Sequence, residues 1–268
     1  MNGEAIAAKN RLLPVLTVAK LCYGYAWENR YRFALPVFVL AFFYAIYAAL
    51  NLWILLPVIS HAPSPAVAKL IIFGWNIPIL IGSFAFEVGM HRTILLNDFR
   101  NGMAFFRWGR DLGHYLLTFI KIVLYGILVG TVLMIVLILG VVLGLQPTPS
   151  KVVGFVFLVI FAWLLVLFAL SLRFALAFPA AAIGEEGSLS LSWQLTKRNW
   201  LRFLALGFIV VFPMALANFL LAIPLFFSLF ALTPLAIGLR LINAAVGVAI
   251  TALTAIMLSF AYKELQQS

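Results

Sequence analysis

The sequence predicts an all-α integral membrane protein with six transmembrane helices and about three amphipathic helices on its cytoplasmic surface. Three observations carry this. The 268 residues are 65% hydrophobic and only 10% charged, well beyond the apolar share of a soluble domain. The apolar residues fall into six runs of about 20 residues or more, the length that crosses ~30 Å of hydrocarbon. The net charge of +10 gathers in alternate connections between those runs, where anionic headgroups favour it. Basic residues placed in this way point to lipid and not to nucleic acid. The single Cys22 excludes an intrachain disulfide and a cysteine-based metal site.

In chain order, the first 32 residues hold Glu4 and Glu28 without a continuous apolar core, so no cleaved signal peptide is expected. Leu12 to Tyr31 is too polar to span and reads as a surface helix. Span one runs from Phe33 to Pro57, with Asn51 its strongly polar member. The link His61-Ala62-Pro63-Ser64-Pro65 leads to span two, Lys69 to Arg92. Leu95 to Gly113 mixes Asp98, Arg100, Arg107, Arg110 and Asp111 with Phe105, Phe106 and Trp108, which again suits a membrane surface. Span three, Tyr115 to Leu145, is long enough to tilt, and Gln146 to Ser150 breaks it. Span four covers Lys151 to Phe178. After the turn Gly184-Glu185-Glu186-Gly187, a short helix starts at Ser188, a suitable N-cap. Leu189, Trp193, Thr196 and Trp200 share roughly 60° of its arc, with Ser190, Gln194 and Lys197 beside them. Such a helix lies along the headgroups. Span five runs from Phe203 to Leu229 and span six from Leu241 to Tyr262, making residues 1–268 a single polytopic domain.

Orientation follows from the basic residues. Lys9, Arg11, Lys20, Arg30, Arg32, Arg92, Arg100, Arg107, Arg110, Lys197, Arg198, Arg202 and Lys263 fall on one side, against Lys69, Lys151 and Arg240 on the other. The positive-inside rule then puts both termini in the cytoplasm.

The even spans end alike. Ser83 to Phe86, Ser171 to Phe174 and Ser259 to Tyr262 each read Ser-x-x-aromatic, 88 residues apart both times. Asn29-Arg30-Tyr31-Arg32-Phe33 also resembles Asn199-Trp200-Leu201-Arg202-Phe203. The pattern reads as a surface helix followed by a helical hairpin, repeated three times in parallel orientation, with repeated use of a few apolar letters the competing explanation.

Glu87 and Arg173 sit in the inner halves of spans two and four, where an ion needs a partner or a wet cavity. One reading makes them a headgroup or proton site. The other has Arg173 snorkelling to phosphates and Glu87 paired with His91 or Arg92. Asn76 beside Pro78, and Asn218 between Pro213 and Pro224, mark kinks or helix-to-helix hydrogen bonds. Gly126-xxx-Gly130, Gly140-xxx-Gly144 and the ladder Gly247, Thr251, Ala255, Ser259 allow close helix packing, within the chain more readily than across a dimer. There is no Walker loop, His-Glu-x-x-His, Gly-x-Ser-x-Gly or dinucleotide fingerprint. No enzyme activity, metal or cofactor is therefore expected.

The run Arg173…Pro179…Gly187-Ser188-Leu189…Ser192-Trp193-Gln194-Leu195-Thr196-Lys197-Arg198-Asn199-Trp200 resembles a motif of a broad bacterial membrane family. That family includes the multi-pass domain attached to some glycerophosphodiester phosphodiesterases and the YciC-like proteins. The resemblance covers about 30 residues closely and the six-span layout loosely. It implies a bacterial inner-membrane protein with a role in lipids or envelope upkeep. The chain ends six residues beyond Tyr262, so the catalytic barrel of some members is not expected and its activity does not carry over. Two functions are expected to compete. The first is binding or moving a lipid or other amphipath. The second is service as an accessory subunit of a larger membrane complex, with a membrane protein as partner. For the first, an anionic phospholipid headgroup would meet Arg173, Glu87, Arg107, Arg110, Trp193, Lys197, Arg198 and Arg202.

Overall fold

The computed structural model describes residues 12–50, 54, 57, 58, 61, 64–142, 149–185, 188–227 and 234–266, and the described elements are all helical. They are α1 (Val15–Glu28), α2 (Arg30–Leu50), α3 (Pro65–Leu96), α4 (Arg110–Val142), α5 (Pro149–Phe174), α6 (Ala177–Ala182), α7 (Ser188–Thr196), α8 (Trp200–Val210), α9 (Phe212–Phe227) and α10 (Pro234–Gln266). Stretches of α2, α3, α4, α5 and α10 are long and apolar enough to cross a membrane. So is the pair α8 and α9 if its 53° bend is taken as one broken span. The chain is a multi-pass all-α membrane protein.

Helix length explains the architecture. α3 has 32 residues and α4 and α10 have 33 each, about 50 Å at 1.5 Å per residue against ~30 Å of hydrocarbon. The surplus collects at one end. Buried residues concentrate at 83–94 of α3, 112–118 of α4 and 248–265 of α10, while most of the large apolar residues of α4 and α5 in their spanning stretches are exposed. Between these protruding ends pack α1, the 97–109 loop, α6 and α7, forming a compact head. Phe84, Tyr115 and Phe178 pack ring on ring through Tyr115, at 5.5 and 5.1 Å, and Phe86 meets Phe105 at 5.6 Å. Tyr25 of α1 meets Phe260 of α10 edge to face at 5.4 Å, so residues near both ends of the described chain lie at the head.

Local chemistry sets the boundaries. Ser64 accepts from Val67 N at 3.3 Å with Pro65 at the first helical position, which starts α3. Asn97, at φ 53°, ends it in the left-handed region that asparagine tolerates. Span two is therefore longer at both ends than expected, and span three starts at Arg110 instead of Tyr115. The end of span one lies largely outside the described residues, as do Gly144 and the turn residues Glu186 and Gly187.

Three expectations need correction. Span four does not run to Phe178: α5 stops at Phe174 and the chain re-forms as the short, buried α6. The segment 95–113 does not form a separate surface helix: its ends belong to α3 and α4, and residues 97–109 are a loop with one 3-10 turn, Gly102–Phe105. Its Phe105 and Phe106 are buried in the head, and Arg107 N donates to Ala85 O at 3.1 Å. Gly89 permits this, because a Cβ there would collide with the Phe105 carbonyl. Ser188 is the first residue of α7, and its hydroxyl meets that of Thr118 on α4 at 3.4 Å instead of capping the helix.

Two of the three expected repeat junctions share one geometry. Asn29 and Asn199 each donate a side-chain N–H to the carbonyl four residues back, of Tyr25 and Leu195. Each accepts on its own carbonyl from Phe33 N and Phe203 N, and both phenylalanines are buried. The middle unit, entered through the 97–109 loop, has no such junction. Gly126 and Gly130 face Leu167 and Trp163 of α5, so this glycine pair packs within the chain. Asn76 accepts from Tyr47 Oη at 2.7 Å, a helix-to-helix hydrogen bond, and α3 continues unbroken past Pro78. The break falls instead at Val211, two residues before Pro213.

Candidate functional site

Three polar groupings occupy the head. The first gathers on Asp98, just beyond α3. Arg107 reaches its carboxylate at 2.6 Å and its carbonyl at 2.8 Å, Arg100 lies at 3.5 Å, and Arg92 bridges it to Asp111 at 3.4 and 3.1 Å. The Arg107 hydrogen bond, above all, holds the Asp98 carboxyl below its ordinary range. Arg107 is 6% exposed and committed to this pair. Its Nη2 anchors the loop to Asp98, while its Nε is buried without a hydrogen-bond partner.

The second grouping is a seam where α3, α4, α6 and α10 meet. Tyr115 Oη donates to Glu87, and His91 Nδ1 shares a 2.7 Å hydrogen bond with Ser259. Just beyond α6, Glu185 accepts from Tyr262 and from Gln266 Nε2. Glu87 thus pairs with neither His91 nor Arg92, the candidates in the sequence, and makes no ion pair with Arg173 among the described residues. It faces the Tyr115 phenol inside the head.

The third grouping brings Arg173 and Trp193 together as expected, by a route the sequence did not show. Ser188, Ser192 and Thr196 form the buried stripe of α7. Ser192 donates to Arg173 O at 2.7 Å and Thr196 at 3.0 Å, satisfying a carbonyl at the end of α5 that has no helical partner. Trp193 therefore turns outward, 44% exposed. It lies 5.7 Å from the Phe174 ring, with the Arg173 guanidinium over its face at 5.1 Å. Phe174 stacks on Tyr125 of α4 at 6.0 Å. Arg173 Nη1 is buried without a hydrogen-bond partner.

The remaining expected residues divide. Lys197, Arg198 and Arg110 are exposed at the head end, Arg110 donating to His114 at 3.3 Å. Arg202 instead donates to Leu13 O at 2.9 Å, while Asn199 accepts from Leu13 N at 2.8 Å, so both tie the N-terminal segment to α8. One residue went unread: Lys121, exposed on α4 within the spanning stretch Arg110–Val136 and without an ion pair among the described residues. Its signal was available, because a lysine in an apolar run must find an anionic partner, a wet cavity or a headgroup.

Apolar grooves flank the head. One of about 310 Å³ lies between α2, α3 and the 97–109 loop, lined by Leu40, Tyr47, Gly82, Phe106 and Trp108 among others. Another, of about 280 Å³, runs along α4 beside Lys121. Among the described residues no cluster of His, Cys, Asp and Glu could hold a metal ion. The third grouping offers an unsatisfied cation, a planar aromatic and adjoining apolar surface, which together suit an anionic amphipath. No family model, curated protein or solved structure matches the chain.

Proposed function

We propose that this multi-pass membrane protein is a non-enzymatic binder of an anionic, phospholipid-like amphipath. It sits in a bacterial inner membrane with both termini in the cytoplasm. The observation that carries the reading is Arg173, whose Nη1 is buried beside exposed Trp193 with no protein acceptor. A guanidinium in that condition favours an anionic ligand, and Arg matches phosphate oxygens with a two-pronged fork. Support for the orientation comes from the basic residues at the head end and from Lys69 and Lys151 near the starts of α3 and α5, at the opposite end. The resemblance of residues 173–200 to the YciC-like family supports the bacterial membrane and the lipid role alike.

Titrating delipidated protein with phosphatidylglycerol and phosphatidylcholine tests this. The wild type should prefer phosphatidylglycerol. Arg173→Ala should weaken that binding by roughly tenfold, as expected for one charge-assisted contact, and Lys197→Ala by less, because Lys197 is exposed and better screened. Equal affinity for both lipids, unchanged by Arg173→Ala, would remove the reading and leave the accessory-subunit function in its place.

A further inference from the structure

Lys121 of α4 and Arg173 of α5 border one run of three rings, Tyr125, Phe174 and Trp193, whose neighbouring centroids lie 6.0 and 5.7 Å apart, with Arg173 over Trp193 and Lys121 one helical turn from Tyr125. Tyr125 lies one turn from Lys121 and stacks on Phe174, which places this part of α4 level with the C-terminal end of α5. Thr118, almost a turn nearer the head, meets Ser188 of α7. Lys121 is thus bracketed by contacts to α5 and α7, the two helices that present Arg173 and Trp193. It is the single charged residue between Leu112 and Val136. The groove beside it is lined by Lys121, Leu124, Tyr125 and Leu128. It is cationic toward the head and apolar toward the middle of α4, extending about 10 Å along the axis at 1.5 Å per residue.

We infer that Lys121 is the second cation of the Arg173 site, and that the ligand is an anionic glycerophospholipid with its phosphate between the two and an acyl chain along Leu124 and Leu128. This rests on the lipid reading above and adds where the lipid lies: along the outer face of α4 from Lys121 to Leu128, beside the rings of Tyr125, Phe174 and Trp193. The two cations divide the work by their chemistry. The guanidinium, fixed over Trp193, supplies directed hydrogen bonds, and the flexible ammonium supplies a point charge that follows the phosphate. A lysine on a lipid-facing stripe with no carboxylate to meet it is explained by a phosphate at that depth.

Native mass spectrometry of the detergent-exchanged protein tests the inference, with phosphatidylglycerol, phosphatidylcholine and inorganic phosphate as probes. Lys121→Met should lose phosphatidylglycerol affinity by roughly tenfold and phosphatidylcholine affinity by less, because choline offsets the charge of the same phosphate, while Lys121→Arg retains most of the phosphatidylglycerol affinity. The variant's thermal midpoint should match wild type, because the side chain is exposed. In the Lys121→Met, Arg173→Ala double variant the losses should fall short of multiplying, since both groups serve one phosphate. Wild-type affinity in Lys121→Met, alongside a loss in Arg173→Ala, would overturn the inference and leave the lipid reading intact. Losses that multiply would mean two separate lipids and overturn the shared phosphate. Displacement by millimolar inorganic phosphate would overturn the acyl groove. A protein that copurifies with wild type and is lost in Lys121→Met would assign the lysine to a partner helix. No preference for phosphatidylglycerol in any variant would overturn the lipid reading itself.

Discussion

Replacing Tyr23 by Phe removes one oxygen and tests how the broken span is held. In a continuous helix the N–H at position 213 would bond the carbonyl of Ile209, and Pro213 has no N–H. The chain bends by 53° there, between α8 and α9. Tyr23 Oη, on α1, lies 2.9 Å from Ile209 O and 3.2 Å from Val210 O, and so supplies the donor that proline removed. One interhelical hydrogen bond with an otherwise orphaned acceptor is worth about 1–2 kcal/mol. At about 2–4 °C per kcal/mol for a chain of this size, Tyr23→Phe should lower the thermal midpoint in mild detergent by about 2–8 °C. A Pro213→Ala background returns an N–H to Ile209, so Tyr23→Phe should cost less than about half as much there. An unchanged midpoint, or equal losses in both backgrounds, would refute the idea that α1 completes the broken helix.

Gly89→Ala should destabilise the head by about 1–3 kcal/mol through overlap with the Phe105 carbonyl. Gly82→Ala, with nothing near its Cβ position, should be neutral or stabilise by up to about 1 kcal/mol in the same melts. Because Asp98 is held below the usual carboxylate range, its stabilisation is full above the unfolded value of about 4 and is lost as pH falls through the depressed folded value. Arg107→Met should therefore cost about 2 kcal/mol near pH 7 and flatten the acid limb of a stability–pH profile. An unaltered acid limb would count against the pair. In intact cells, His61→Cys in a Cys22→Ser background should react with an impermeant maleimide. Cys22 itself, fully buried with its thiol pushed up to about 12 by burial, should stay silent until denaturation. Labelling at Lys197→Cys with His61→Cys silent would invert the orientation.

The spans were legible because crossing hydrocarbon imposes length and apolarity on contiguous residues, which a single sequence shows directly. The head was not, and α7 shows why. Its Trp stripe was the prominent periodic feature and Trp193 does face outward, but the buried stripe of Ser188, Ser192 and Thr196 that docks the helix on the head carried no apolar signal. At a membrane surface an amphipathic indole favours the interface, while small hydroxyl residues let helices approach and satisfy each other's carbonyls. The protein contacts of Arg107 and Arg202, read as lipid contacts from their charge, were equally hidden: they reach Asp98 and Leu13 O. Nothing local in sequence links residue 13 to residue 202, or Gly89 to Phe105. Of the candidate site, the Arg173 and Trp193 pair was legible because 20 residues and a turn return the chain to the same depth. Lys121 was passed over because one charge does not interrupt a hydropathy average.

The central claim is that an anionic phospholipid is held at Arg173 and Trp193 against the ends of α4 and α5. Its most direct test is the lipid retained when wild type and Arg173→Ala are extracted from the same membranes and passed through prolonged detergent exchange. Wild type should keep anionic phospholipid at a fixed stoichiometry and enriched over the bulk membrane, and Arg173→Ala should not. Retained lipid of bulk composition in both would contradict the account.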